Sequence, residues 1–147
     1  MGARRKGREL AVQALYQIEL TGEVSATALQ AFWEQSEAGA NAKGFAAALV
    51  AGVCEQQERI DALIGGSSEH WRFERISRVD LNVLRVATYE LLQGTVPLNV
   101  AIDEAIEIAR RFGSEESAMF VNGILDQVAT RLGIKSAVIE PRMRNDG

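Results

Sequence analysis

The side chains able to do covalent or acid–base chemistry are few and scattered. The only histidine is His70, beside Trp71, and the only cysteine is Cys54, set among apolar residues. A lone His with no Cys or second His near it cannot assemble a zinc site, and no Ser, Cys or Lys nucleophile stands beside a base. His70 therefore reads as a surface or partly packed residue and Cys54 as inert core. Asp103, Glu104 and Glu107 recur at helical spacing, as carboxylates do in bridged metal sites. Such sites also draw a Glu-x-x-His element from other helices, and none is present, so a solvated face is the better reading. Gly65-Gly66 follows no strand and has no Lys-Ser/Thr behind it, which excludes a phosphate loop. The expectation is a non-enzyme with no catalytic residue, no metal and no cofactor.

Chemistry of another kind is concentrated at the start of the chain. Arg4, Arg5, Lys6 and Arg8 precede or flank the first acid, Glu9, and a looser basic series follows at Arg72, Arg75, Arg78 and Arg85. A formal net charge of −4 argues against coating nucleic acid by bulk attraction. A basic arm on an acidic body suits a selective contact with an anionic partner. Projected at about 100° per residue, Ala11, Ala14, Leu15 and Ile18 form an ordinary core stripe. Arg5, Arg8, Val12 and Tyr16, with Leu20 at the margin, form a second line. Either this helix is central and buries both faces, or the line is a composite surface, arginines for phosphate and an apolar patch for a protein. Phe120 lies nearly a quarter-turn off the stripe made by Val121, Ile124, Leu125, Val128 and Leu132. It either closes the core edge or offers a stacking platform to an unpaired base, with the Asn122 amide placed to read a base edge. Gly123, mid-helix, costs up to about 1 kcal/mol relative to Ala, which close approach of another helix would explain.

These residues must be positioned by helices, because apolar residues recur at helical spacing throughout and no stretch alternates with period two. Helix one runs from about Arg4 to Leu20, closed by Thr21-Gly22, and helix two covers Ser25 to Gln35. Helix three starts near Asn41 and carries Phe45, Leu49, Val53, Ile60 and Ile64 as far as Gly65-Gly66. After a connector with Trp71 and Phe73, Ser77 caps helix four, which stops at Gly94. Pro97 and Asn99 open helix five, ended by Gly113; Ser114 caps helix six, ended by Gly133. The segment 135–147 reads as a flexible tail. With 147 residues, 47% of them apolar, the chain can bury roughly two-thirds of its unfolded surface and fold without staples. The unpaired Cys54 suits a reducing compartment. The uncharged run from Gly44 to Cys54 is too short to span a bilayer, and Gln13, Gln17 and Glu19 interrupt any signal-peptide core. A soluble, cytoplasmic, all-α protein with an irregular helical bundle is expected, with no membrane partner.

Four segments carry a resemblance that covers nearly the whole chain in order. The opening RRKGRELAVQALY (Arg4 to Tyr16), VDLNVLRVATYEL (Val79 to Leu91), PLNVAIDEAIEIARRFG (Pro97 to Gly113) and FVNGILD (Phe120 to Asp126) together resemble the NusB family of transcription antitermination proteins. The stretch Leu49 to Asp61 agrees with it. The resemblance implies one domain over residues 1–134, built of two three-helix subdomains, about 1–66 and 67–134. It implies binding of boxA-type single-stranded RNA in leader and ribosomal RNA transcripts. It also implies pairing with NusE, a small-subunit ribosomal protein, within the RNA polymerase antitermination complex. The RNA contacts it implies fall on Arg4, Arg5, Lys6, Arg8, Glu116, Phe120 and Asn122. It puts the partner surface at Tyr16 and Asp80, which the apolar line on helix one extends to Val12 and Leu20. Monomer and homodimer both remain open. Gly7, where Ala is usual in the family, is expected to loosen the basic arm.

Overall fold

The computed structural model describes residues 2–22, 26–68 and 72–134. These form α1 (Ala3–Thr21), α2 (Ala26–Gln35), α3 (Ala40–Glu55), α4 (Gln57–Gly66), α5 (Arg78–Gln93), α6 (Leu98–Phe112) and α7 (Glu115–Leu132), with a 3₁₀ turn at Phe73–Arg75. No strand occurs among the described residues. His70, Trp71 and the expected tail at 135–147 lie outside them.

The ends of the helices follow local chemistry. Ser77 Oγ accepts the Asp80 N–H at 3.1 Å and Ser114 Oγ accepts the Ser117 N–H at 3.1 Å, each satisfying one orphan donor of the first turn. Gly94 closes α5 at φ 70°, in the left-handed region that favours glycine. The expected third helix is in fact two. The chain leaves helical geometry at Gln56 (φ −112°, ψ 21°), so Leu49 and Val53 belong to α3 while Ile60 and Ile64 belong to α4.

Helix α5 is the centre of the molecule: every residue from Asp80 to Thr88 is buried. It packs against α1, α3, α4, α6 and α7, while α1 lies along α3 and α6 lies along α7. The buried apolar residues form one continuous cluster drawn from α1 and α3 to α7, with Leu29, Phe32 and Trp33 of α2 at its edge. Ion pairs fasten α1 to its neighbours along its length. Arg5 meets Glu104 of α6, Arg8 meets Glu90 of α5, Arg111 of α6 meets Glu9, and Arg85 of α5 meets Glu19. Glu104 is therefore ion-paired, and the solvated acidic face expected on this helix is reduced to exposed Asp103 and Glu107. Arg85 is likewise interior, held by Asp61 through two bonds of 2.9 Å, and does not extend the surface basic series. No helix among the described residues is long and apolar enough to cross a membrane.

Candidate nucleic-acid interface

The basic start of α1 divides by depth. Arg4 and Lys6 are exposed, and neither side chain has a carboxylate partner among the described residues. Arg5 is half-buried and forks onto Glu104, with Nε and Nη2 each donating at 2.8 Å. That hydrogen bonding, helped by the nearby charges of Arg5 and Arg8, holds the Glu104 carboxyl below its ordinary range. Arg8 departs from expectation. It is only 4% exposed and donates to both oxygens of Glu90, at 2.9 to 3.2 Å. Its guanidinium is engaged inside the protein, so it supports the arm instead of presenting a phosphate ligand. Phe45 of α3 lies under this end of α1, with Arg4 and Arg8 at 5.5 and 5.3 Å from its ring centre.

The second line along α1 resolves in the same way. Val12 is 3% exposed and belongs to the core against α5 and α6, so it cannot meet a partner. Tyr16 is half-buried and Leu20 is 57% exposed, leaving the apolar surface only at the C-terminal half of the helix. The first helix is thus central at its start and open at its end.

A cleft of about 590 Å³ forms where α5 and α7 begin, between Arg75, Ile76, Asp80, Glu116, Ser117 and Phe120, with Met119 on its rim. It joins residues expected on two different surfaces, Asp80 from the partner side and Glu116 and Phe120 from the RNA side. Asp80 is buried, 8% exposed, in the capped first turn of α5 where that helix packs on α7. Its Oδ2 accepts the Ser117 hydroxyl at 3.3 Å, while Oδ1 is buried without a hydrogen bond. Burial pushes its carboxyl up, against the opposing hydrogen bonds of Ser117 and Ser77. Phe120 is half-buried: one part packs on the core and the other lines the cleft. Asn122 is exposed on α7, outside the cleft lining.

Two glycines also read differently in three dimensions. A Cβ on Gly7 would stand 2.7 Å from Phe45 Cδ2 and 3.0 Å from the Ala42 carbonyl oxygen, so Gly7 lets α1 and α3 approach closely. It tightens the arm's base instead of loosening it. Gly123 has nothing within 4 Å of a would-be Cβ, so no helix packs there and the packing explanation fails. Glu90 and Tyr89, which shape the site from α5, are not singled out by motif or helical projection. An acid set between apolar residues of α5 is the available signal for Glu90, since a buried carboxylate needs a cation. Among the described residues no group of His, Cys, Asp and Glu is arranged to hold a metal ion. Cys54 is half-buried, its thiol pushed up by burial, which leaves little thiolate.

The fold is an all-α bundle whose first helix bears exposed cations at one end and an exposed apolar residue at the other. The chain belongs to the NusB family, whose model matches residues 5–130. It is 49% identical over 134 residues to the transcription antitermination protein NusB of Geobacter sulfurreducens, covering 90% of this chain and 97% of that one. Among solved structures, NusB of T. maritima matches with a TM-score of 0.76 at 43% identity, over 86% of this chain and 90% of that one. A complex of the antitermination factors NusB and NusE with dsRNA matches with a TM-score of 0.80 over 89% of this chain and 98% of that one. At 23% identity, that match bears on the fold alone.

Proposed function

We propose that this protein is a non-catalytic, cytoplasmic RNA-binding factor in transcription antitermination. It takes boxA-type single-stranded RNA of leader and ribosomal RNA transcripts together with a NusE-type ribosomal protein, within the RNA polymerase antitermination complex. The observation that carries the reading is the division of the basic arm. In a protein that pairs Arg5, Arg8, Arg85 and Arg111 with carboxylates, Arg4 and Lys6 are left facing solvent at one end of α1. They supply phosphate contacts that position RNA, and selection among sequences comes from unpaired bases. Arg5, half-exposed and already oriented by Glu104, joins them at the edge, and Arg8 holds the helix in place. Glu116, Phe120 and Asn122 provide the second RNA surface on α7. Tyr16, Leu20 and the rim of the Asp80 cleft face the protein partner. The 49% identity to a transcription antitermination protein supports the antitermination part of this reading.

The test is binding of a labelled boxA-type RNA against a scrambled one, with and without the NusE-type protein, at two salt concentrations. The expected result is a preference for boxA that grows when the partner is added. In Arg4→Ala/Lys6→Ala, affinity for both RNAs falls and the salt slope flattens by about 0.7 for each phosphate no longer neutralised. Equal, weak binding to both RNAs with no partner effect would overturn the reading.

A further inference from the structure

A second hollow, away from the Asp80 cleft, opens beside the basic arm. It measures about 220 Å³ and is bounded by Arg4, Phe45, Ala48, Tyr89, Gln93 and Thr95. We propose that it receives one unpaired base of the RNA, an inference that rests on the RNA-binding reading above.

The lining has the chemistry of a base site. Phe45 and Tyr89 are both half-exposed, and the Arg4 guanidinium stands 5.5 Å from the Phe45 ring centre. Aromatic faces and guanidinium planes are the two side-chain surfaces on which splayed bases stack. Gln93 and Thr95, both exposed, set an amide and a hydroxyl on the rim. The Gln93 Oε1 accepts a long bond of 3.4 Å from Gln56, which leaves its amide N–H groups to meet a base edge. The volume is below the roughly 300–1,000 Å³ of ordinary ligand clefts, which suits a single ring system over an extended molecule.

Electrostatics and rigidity agree with that occupant. The acid in the wall, Glu90, is engaged by Arg8 through bonds of 2.9 to 3.2 Å, so its charge is answered internally. Arg4 remains as the cation at the mouth, placed for the phosphate of the nucleotide whose base enters. Both rings are seated against glycine: a Cβ on Gly7 would press on Phe45, and one on Gly52 would run into Tyr89. Walls fixed before binding lose little entropy when a base arrives. Tyr89 follows Asp80 by nine residues of α5, about 14 Å along the axis, so this hollow and the cleft are separate sites.

The experiment uses the full chain, a boxA-type RNA, and a series in which each nucleotide in turn is made abasic. Ala48→Phe, an exposed position on α3, fills the hollow and lies away from the Asp80 cleft. Gln93→Trp fills it from the α5 side as a second blocking variant, and both are checked for an unchanged thermal transition. Loss of one particular base is expected to weaken wild-type binding about tenfold. Either blocking variant should weaken the intact RNA to a similar degree, and removal of that same base should then cost nothing further. Wild-type affinity in both variants, or equal abasic effects at every position in all proteins, overturns the hollow while leaving RNA binding intact. Indifference of the wild-type protein between boxA and scrambled RNA removes the RNA reading and this proposal together.

Discussion

Arg4 and Arg8 are the same residue type one helical turn apart, and their environments give them opposite work. Arg8 is enclosed with Glu90, so removing it strands a buried carboxylate. Arg8→Met is expected to cost about 3–5 kcal/mol in urea denaturation, whereas exposed Arg4→Ala should stay within about 0.5 kcal/mol. Adding Glu90→Leu to Arg8→Met should recover most of the loss, because an apolar pair of similar volume leaves no buried charge. The sequence could not separate these arginines. Helical projection gives an angle around the axis but not depth, and the acid that decides the matter lies 82 residues away. Asp80 shows a related conflict with a clear pH signature. Its folded pKa is raised by burial, so the native state binds the proton more tightly than the unfolded chain. Stability from this group therefore falls as pH rises from the ordinary Asp value, about 3.9, through the raised one, and the cost is fully present above it. Asp80→Asn should raise Tm near neutral pH, and the gain should shrink toward zero near pH 3. A pH-independent difference would mean that the charge is not the cause.

Helix ends are legible in the sequence because their signals are local: Ser77 and Ser114 at N-caps and Gly22, Gly94 and Gly133 at C-caps all act within one turn. The division between α3 and α4 is not. Gln56 is an ordinary helix former, and the apolar residues on either side continue toward one core, so nothing local marks the break. Glycine roles are equally hidden, since the space for a Cβ is set by the helix that arrives opposite. Gly52 and Gly123 make the contrast measurable. Gly52→Ala forces the Tyr89 ring away and is expected to destabilise by about 1–3 kcal/mol. Gly123→Ala meets open space and gains helix propensity, so it should stabilise by up to about 1 kcal/mol, near 2–4 °C in Tm. Thermal melts of the two variants should move in opposite directions. A Gly123→Ala melt at or below the wild-type value would contradict the open surroundings of that residue.

For the molecule as a whole, the question is whether the helices around α1 and α3 and those around α6 and α7 form one unit or two. The family resemblance suggests subdomains meeting near residue 66, yet the contacts on α1 run across that division. Arg5 to Glu104, Arg8 to Glu90 and Glu9 to Arg111 join residues 82 to 102 positions apart, and α5 packs on both groups. Each of these pairs has one partner on α1 and the other on α5 or α6, so opening the division would break all three at once. The larger cost is exposure of the continuous apolar cluster that spans the division. We therefore expect a single cooperative transition, in which the slowest-exchanging amides of α1 and of α7 open with the same free energy and the same urea dependence. Arg8→Met should lower both by equal amounts, since it destabilises the shared unit. Two distinct opening energies, with Arg8→Met acting on α1 alone, would show that the division near residue 66 is a real boundary and that the ion pairs are surface dressing on two independent cores.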